Sequence, residues 1–183
     1  MSGHGGAGPP IVCFVSSRSG TGKTTLLEKV IAEMTSRGYA VGTIKSDSHG
    51  VQMDREGKDT WRFARAGARV TAIIGPDSYA LIQKTPAKEN LETVAAMLRD
   101  VDIILVEGYK DARRPKIEVV RAEKGAKIIT DARDLAAVAG DIADFPDLPG
   151  SVRIFDLDDY RGVADFIIET YLPRKGRASG DER

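Results

Sequence analysis

Cysteine, histidine and aromatic residues are scarce in this sequence of 183 residues. Its one cysteine, Cys13, excludes an internal disulfide, and its place in the apolar run from Ile11 to Val15 predicts a buried structural thiol. Two histidines and one cysteine cannot assemble a zinc-binding constellation. Disulfide scaffolds and structural zinc domains are therefore excluded, and a reducing compartment is the expected setting.

The sequence also lacks a charge excess and a long apolar run. Lys and Arg total 27 and Asp and Glu total 27, and this balance argues against a dedicated nucleic-acid binder. No run approaches the ~18 apolar residues that a membrane span needs, and the first ten residues lack the order of a secretory signal. We therefore expect a cytoplasmic protein with no nucleic-acid and no membrane partner.

Composition predicts one domain between two polar ends. Residues 1–10 contain four glycines and two prolines, which predicts a disordered lead-in. Residues 173–183 are polar and charged, which predicts a flexible tail. The hydrophobic fraction of 42% suffices for one core, and no repeat or linker divides residues 11–172, so we expect a single domain there.

Strand-like and helix-like segments alternate along the chain. The apolar runs Ile11–Val15 and Ile103–Val106 are typical of strands buried inside a parallel sheet. Val70–Ile74 and Tyr79–Gln83 flank a Gly-Pro-Asp-Ser turn, which predicts an antiparallel hairpin over about residues 70–83. The pattern as a whole predicts an α/β protein with three layers and a mostly parallel sheet.

Three further segments carry element-level predictions. Leu91 to Leu98 has helical spacing, and Lys116 to Arg121 alternates in strand fashion. A closing helix is expected to begin near Asp158 or Asp159, either of which can cap it.

The segment from Ser17 to Thr24, SRSGTGKT, matches the phosphate-loop pattern G-x-x-x-x-G-K-[ST] except that Ser17 replaces the first glycine. That serine costs little if its φ is negative and is strained if its φ is positive. The glycines let successive N–H groups converge on phosphate oxygens, Lys23 brings charge to the β and γ phosphates, and the Thr24 hydroxyl can bind Mg²⁺. The candidate ligand residues are Ser19, Gly20, Thr21, Gly22, Lys23, Thr24 and Thr25.

Two acidic residues are candidate partners of that loop. Glu107 ends the buried strand-like run and Gly108 follows it, as in the second acidic motif of phosphate-loop proteins. There the carboxylate holds the Mg²⁺ shell and the glycine can lie near the γ phosphate, so Gly108 is a further candidate ligand residue. Asp47 comes just after the second predicted strand, from where it can reach the metal or orient water. We therefore predict Lys23, Asp47 and Glu107 as the residues that act on the phosphates, with Thr24, Glu107 and Asp47 at the metal.

Less specific signals leave alternatives open. No Asn-Lys-x-Asp segment is present, so Asp141 is a positional candidate for reading a guanine edge, with a capping or turn role as the alternative. His49 either contacts an anion or is an ordinary exposed histidine. The cations Lys110, Arg113, Arg114 and Lys116 either gather beside the nucleotide to meet a second phosphorylated ligand or form a solvated basic loop.

These segments together resemble the molybdopterin-guanine dinucleotide biosynthesis protein B (MobB) family. The resemblance covers about residues 11–168 and rests on four stretches: Ser19–Leu27, Gly57–Thr60 with Ala66–Ala68, Leu105–Lys110 and Pro115–Val119. One departure is that Ser46 and Ser48 stand where the family often has histidines, so that Asp47 and His49 remain of that cluster.

The resemblance implies a P-loop NTPase-like fold and a homodimer that binds GTP and Mg²⁺. It also implies molybdopterin as a bound substrate, weak GTPase activity, and an adaptor role beside a molybdenum cofactor guanylyltransferase that attaches GMP to molybdopterin. From the residues alone, a small-molecule kinase or ATP-dependent ligase on the same fold, and a regulatory nucleotide-binding module without turnover, stay open as alternatives.

Overall fold

The computed structural model describes residues 8–47, 50, 54–125, 127–142, 145 and 148–173. The chain divides into two compact units, one formed by Met1–Ser46 with Leu91–Arg183 and the other by Asp47–Asn90. Most of the predicted lead-in and nearly all of the predicted tail lie outside the described residues. The single domain over residues 11–172 stays a prediction.

The elements fall in the order that the sequence predicts. The first unit contains β1 (Ile11–Val15), α1 (Lys23–Ser36), β2 (Val41–Lys45), α3 (Leu91–Ala95), β5 (Ile103–Glu107), β6 (Lys116–Val120), a 3₁₀ turn (Ala122–Lys124), β7 (Leu135–Gly140), β8 (Arg153–Phe155) and α4 (Tyr160–Tyr171). The second unit contains α2 (Asp59–Arg65), β3 (Val70–Ile74) and β4 (Tyr79–Gln83). Among the described residues, no helix has the length and apolar character needed to cross a membrane.

The first unit is built on a six-stranded sheet in the order β2-β5-β1-β6-β7-β8. Every neighbouring pair in it is parallel. The second unit holds a separate antiparallel pair, β3 and β4, in which Val70 lies opposite Gln83 and Ile74 opposite Tyr79. The predicted mostly parallel sheet and the predicted hairpin over residues 70–83 are both confirmed.

Strand β1 is buried on both faces because helices cover the sheet from both sides. Val12 and Phe14 pack in one apolar cluster with α1 and α4, whereas Ile11, Cys13 and Val15 pack in another with α3. Burial raises the pKa of the Cys13 thiol to about 11, so this group stays protonated and unreactive at neutral pH. The buried structural thiol that the sequence predicts is present.

Strand β6 differs from the alternating strand that its sequence suggests. All five of its residues are buried, including Lys116 and Glu118. Both charged side chains have partners: Lys116 Nζ lies 3.4 Å from Asp134 Oδ2, and the Glu118 carboxylate accepts hydrogen bonds from the backbone N–H groups of Ile129 and Thr130 at 2.9 Å. The alternation predicted a strand correctly. Its charged side chains, however, are buried with partners inside the protein and do not face solvent.

Helix boundaries follow local chemistry. Asp159 is the N-cap of α4 and accepts a hydrogen bond from Gly162 N, as the sequence predicts. Helix α3 ends at Ala95, short of the predicted limit at Leu98. In α1 the buried residues Leu26, Leu27, Val30 and Met34 form the stripe that faces the sheet.

We expect the Glu118→Ala variant to lower the free energy of unfolding by about 3 kcal/mol, since it leaves two N–H donors without an acceptor inside the protein. Urea denaturation measures this change. The control is Glu169→Ala, which removes an exposed carboxylate from α4 and should cost well under about 1 kcal/mol. Equal unfolding midpoints for the two variants would show that the buried carboxylate contributes nothing to stability.

Candidate functional site

The loop between β1 and α1 has the backbone of an anion-binding turn. Gly20 and Gly22 have φ values of 74° and 92°, in the left-handed region that favours glycine. Gly22 is the N-cap of α1, and no side chain caps the first amides of that helix. Such amides attract anions. Ser17 does not have a positive φ, so it replaces the first glycine without backbone strain.

The same loop forms one wall of an open cavity of about 460 Å³. The lining residues are Ser19, Gly20, Gly22, Lys23, Thr24, Thr25, Glu107 and Arg121. Of the predicted loop residues, only Thr21 is missing from this wall. Its side chain is buried and its hydroxyl has no hydrogen-bond partner within the described residues, so a contact with an anion would have to come from its backbone N–H.

Ser16, directly after β1, positions the side chain of Lys23, the first residue of α1. Its Nζ donates a hydrogen bond to Ser16 Oγ at 2.7 Å, and that hydroxyl donates in turn to Arg18 O at 2.5 Å. Burial lowers the pKa of the Lys23 ammonium, Glu107 opposes that shift, and Lys110 and Lys45 add to it. A cation that is half desolvated among other cations gains most from a nearby anion.

Glu107 and Thr24 meet although they are 83 positions apart in the chain. The Thr24 hydroxyl lies 3.0 Å from Glu107 Oε2. Thr24 belongs to the first turn of α1, and Glu107 ends β5 at the level of Phe14 in the neighbouring β1. The structure therefore brings together two of the three residues predicted at the metal.

A hydroxyl and a carboxylate at this spacing fit Mg²⁺ in the way that nucleotide sites use it. Mg²⁺ prefers oxygen ligands and is commonly held by one or two protein oxygens together with substrate phosphates. Within the described residues, no group of three or more His, Cys, Asp or Glu side chains is placed to bind a metal. The donor set at Thr24 and Glu107 thus suits an ion that arrives with a triphosphate.

Gly108 and Tyr109 make an unusual turn directly after Glu107. Their φ values are 92° and 61°, and Gly108 N donates to Phe14 O at 2.9 Å. A Cβ placed on Gly108 would lie 3.2 Å from Ser46 O, so both the φ and the space favour glycine there. Tyr109 is a non-glycine residue in the left-handed region, a strained conformation of the kind that clusters at functional sites.

Arg121 and Lys124 are cavity neighbours that the sequence reasoning missed. Arg121 follows β6 directly, and its Nη2 lies 3.5 Å from where a Cβ on Gly22 would be. Lys124 Cε lies 3.8 Å from the corresponding point on Gly20. The signal that identified Glu107, a charged residue just after a buried strand, would also have found Arg121, since the carboxyl ends of parallel strands share one edge.

The predicted roles of Asp47 and His49 concern the loop that follows β2. Asp47 is the first residue of the second unit, and its predicted role at the phosphates and the metal stays a prediction. His49 and Ser48 lie outside the described residues. Ser46, the last residue before them in the first unit, continues the pairing of β2 through a hydrogen bond from its N–H to Glu107 O at 2.9 Å.

Asp141 follows β7 and supports the neighbouring turn. Its Oδ1 accepts a hydrogen bond from Ala122 N at 2.7 Å, at the start of the 3₁₀ turn after β6. This is the capping role that the sequence left open as an alternative. Its predicted contact with a guanine edge is untested and stays a prediction.

Of the two alternatives left open for the four cations after Glu107, gathering beside the loop describes one of them and does not describe the other three. Lys110 does reach the loop, with Nζ at 3.4 Å from Ser17 O. The others lie at the opposite, amino-terminal end of β6 and are paired there: Arg113 and Lys116 with Asp134, and Arg114 with Glu92. A short crossing between parallel strands carries the segment away from the carboxyl edge, which the sequence alone did not reveal.

The parallel sheet and the loop after its central strand place the chain in the three-layer P-loop NTPase-like fold class. The chain also belongs to the molybdopterin guanine dinucleotide synthesis protein B (MobB) family, whose model matches residues 11–141.

Relatives and solved structures agree with that membership. The chain is 35% identical over 174 residues to a molybdopterin-guanine dinucleotide biosynthesis adapter protein of Escherichia coli, covering 91% of this chain and 96% of that one. A Haemophilus influenzae protein of the same name is 34% identical, with 84% and 85% covered. The crystal structure of Bacillus subtilis MobB matches with a TM-score of 0.68 at 26% identity, over 91% of this chain and 99% of that one.

We expect Thr24→Val to weaken binding of a nucleoside triphosphate about tenfold with Mg²⁺ and to leave binding in EDTA nearly unchanged, because the predicted role of the hydroxyl is to bind the metal rather than the phosphates. Lys23→Ala should abolish tight binding under both conditions. Titration of a fluorescent nucleotide measures both effects. The matched control is Thr35→Val at the far, exposed end of α1. Parent-like affinity of the Thr24 and Lys23 variants would remove the loop from the site.

Proposed function

We propose that this chain is a GTP-binding adapter that assists the attachment of GMP to molybdopterin in molybdopterin-guanine dinucleotide synthesis. The observation that carries the proposal is the 3.0 Å contact between Thr24 Oγ1 and Glu107 Oε2 in a cavity that Lys23 also lines. The Escherichia coli and Haemophilus influenzae relatives bear the name of adapter proteins of this synthesis, which supports the same role here.

The residues suit the retention of a triphosphate. The first amides of α1 and the Lys23 ammonium meet the phosphate oxygens, while Thr24 and Glu107 supply oxygen ligands for Mg²⁺, which neutralises charge on the β and γ phosphates when bound. The cavity of about 460 Å³ is open, so a bound nucleotide stays accessible to a partner protein. Binding without enclosure favours presentation of the nucleotide over rapid chemistry.

Hydrolysis by the isolated chain should be slow. Phosphate-loop GTPases without a supplied arginine turn over at roughly 10⁻⁴ to 10⁻² s⁻¹, and a partner-supplied group adds on the order of 10³ to 10⁵. No glutamine follows Glu107 closely enough in sequence to position water. In the role that the family resemblance implies, the transfer of GMP itself belongs to the partner, a molybdenum cofactor guanylyltransferase.

A kinase or ligase is the second candidate, and the arginines weigh against it. Such enzymes usually close a lid with several arginines over the phosphates, and Arg113-Arg114 is the one adjacent pair of arginines in the sequence that such a lid could use. In the first unit these side chains instead pair with Asp134 and Glu92, at 3.8 and 3.0 Å. The adapter role needs no lid and is the one we favour.

Exposed apolar side chains on the hairpin of the second unit support the proposal of a homodimer. Its hairpin is a two-stranded sheet, and such a hairpin is marginally stable by itself in water. Large apolar side chains on it are exposed, among them Ile74 at 84% and Tyr79 at 79%. Exposed apolar strands that, among the described residues, pair only with each other favour association, and a self-complementary twofold contact between identical hairpins is the simplest form of it.

The adapter role predicts coupling. The isolated chain with GTP should hydrolyse slowly, whereas adding it to the guanylyltransferase, molybdopterin and Mg²⁺-GTP should increase formation of the guanine dinucleotide. Lys23→Ala should remove that increase without changing the basal rate of the transferase, and unlabelled GTP should displace labelled nucleotide better than ATP does. Chromatographic quantification of the dinucleotide measures the effect. Rapid GTP turnover by the chain alone, ATP-dependent phosphorylation of a small molecule, or unchanged product formation would contradict the proposal.

The dimer has its own test. Ile74→Glu should convert dimer into monomer, since a carboxylate cannot be buried in an apolar contact without a large desolvation cost. Analytical ultracentrifugation gives the mass. The matched control is Met97→Glu, which puts the same charge at an exposed apolar position of the first unit and should leave the dimer intact. A wild-type monomer at micromolar concentration refutes the homodimer.

A further inference from the structure

Each left-handed glycine of the phosphate loop has a basic side chain standing over it. Arg121 Nη2 lies 3.5 Å from the point where a Cβ on Gly22 would be, and Lys124 Cε lies 3.8 Å from that point on Gly20. Both cations come from the segment that follows β6, and Arg121 lines the cavity itself. Arginine and lysine are therefore brought to the loop from a second strand end, independently of Lys23.

The surroundings of the Arg121 guanidinium leave it available for an anion. In the part of the chain that the structure describes, no acidic side chain lies within ion-pair distance of it. Glu107, the one carboxylate among the described residues that line the cavity, accepts a hydrogen bond from Thr24 at 3.0 Å. The side chain is partly buried, so a charge on a bound ligand would be poorly screened there. A planar guanidinium in such a place matches phosphate oxygens with paired hydrogen bonds.

We propose that Arg121 binds the phosphate of the nucleotide that lies nearest the ribose. This proposal deepens the nucleotide site and rests on the proposed function. The residue acts as a ligand that holds nucleotide in the ground state from the β6 side of β1, whereas Glu107 ends the strand on the other side, β5.

Leu157, an apolar neighbour of Arg121, is the reason for assigning the guanidinium to the phosphate nearest the ribose. Leu157 Cδ2 lies 3.8 Å from the same Cβ point on Gly22. A cation next to an apolar side chain suits the part of a nucleotide where a charged phosphate joins the apolar nucleoside. Thr24 and Glu107, by contrast, would supply oxygen ligands for a metal that arrives with the terminal phosphates. The guanidinium thus belongs to the part of the ligand that diphosphates and triphosphates share.

The proposal predicts a specific pattern of affinities. Arg121→Gln should weaken binding of GDP and GTP by the same factor, roughly 10- to 100-fold, because it removes charge-assisted hydrogen bonds to a shared phosphate. Arg121→Lys keeps the charge without the planar fork, so it should lose only a few-fold. Thr24→Val should instead weaken GTP more than GDP with Mg²⁺ present. Isothermal titration with GDP, GTP, ADP and ATP provides the four comparisons for each variant.

The matched control is Arg161→Gln, which removes an exposed arginine of α4 whose Nε lies 3.7 Å from Glu33 and which does not line the cavity. Without nucleotide, the melting temperatures of the Arg121→Gln variant and the control should agree with that of the wild type. The rise in melting temperature caused by saturating GDP should shrink only in the Arg121→Gln variant. A purely structural role for Arg121 would lower the melting temperature of the free protein instead.

The outcomes separate this inference from the function on which it rests. Parent-like affinity of Arg121→Gln for all four nucleotides, with binding still abolished by Lys23→Ala, overturns the role of Arg121 alone. A loss confined to the triphosphates overturns the assignment to the shared phosphate. Equal binding of guanine and adenine nucleotides removes the base preference and leaves the comparison of Arg121 variants intact. A wild-type chain that binds none of the four overturns both proposals.

Discussion

The register between β1 and β5 is the constraint from which the site follows. Phe14 lies opposite Glu107, so the acid stands at the carboxyl edge where the chain leaves β1 for the phosphate loop. A shift of two residues would keep the buried faces of both strands but would move Glu107 away from Thr24. The register is held by burial, because β1 packs against α1 and α4 on one face and against α3 on the other. The packing of the core therefore also fixes the geometry of the site.

The site itself is built at some cost to stability. Lys23 is partly desolvated beside other cations, Tyr109 has a φ of 61°, and the buried Thr21 hydroxyl lacks a partner among the described residues. Each feature is unfavourable by itself. Lys23 lines the cavity, Thr21 belongs to the same loop, and Tyr109 follows the lining residue Glu107 by two positions. A bound phosphate would offset the first of them directly, which is typical of a site whose stability depends on its ligand.

Sequence reasoning predicts the fold and the centre of the site because both depend on short patterns. Apolar runs identify β1 and β5, and the glycine-lysine-threonine loop identifies the start of α1. Sequence reasoning does not predict the environment of a residue when that environment depends on which strands are neighbours in the sheet. The burial of Lys116 and Glu118 follows from the position of β6 between β1 and β7, and the alternation in its sequence gives no sign of that. Arg121 and Arg113 are both cations near β6, yet one stands at the carboxyl edge with the loop and the other pairs with Asp134 at the amino edge. They differ because Arg113 precedes β6 and Arg121 follows it, and β6 runs parallel to β1, so its carboxyl end lies at the edge of the phosphate loop.

A crystal structure of the chain with Mg²⁺ and a non-hydrolysable GTP analogue tests the central claim most directly. The account predicts the phosphates in the cavity of about 460 Å³ after β1, within hydrogen-bond distance of Lys23 Nζ, with the metal next to Thr24 and Glu107. It also predicts that the direct contact of 3.0 Å between those two side chains opens to admit the ion or its water. A nucleotide bound elsewhere on the chain, with that contact unchanged, would contradict the account.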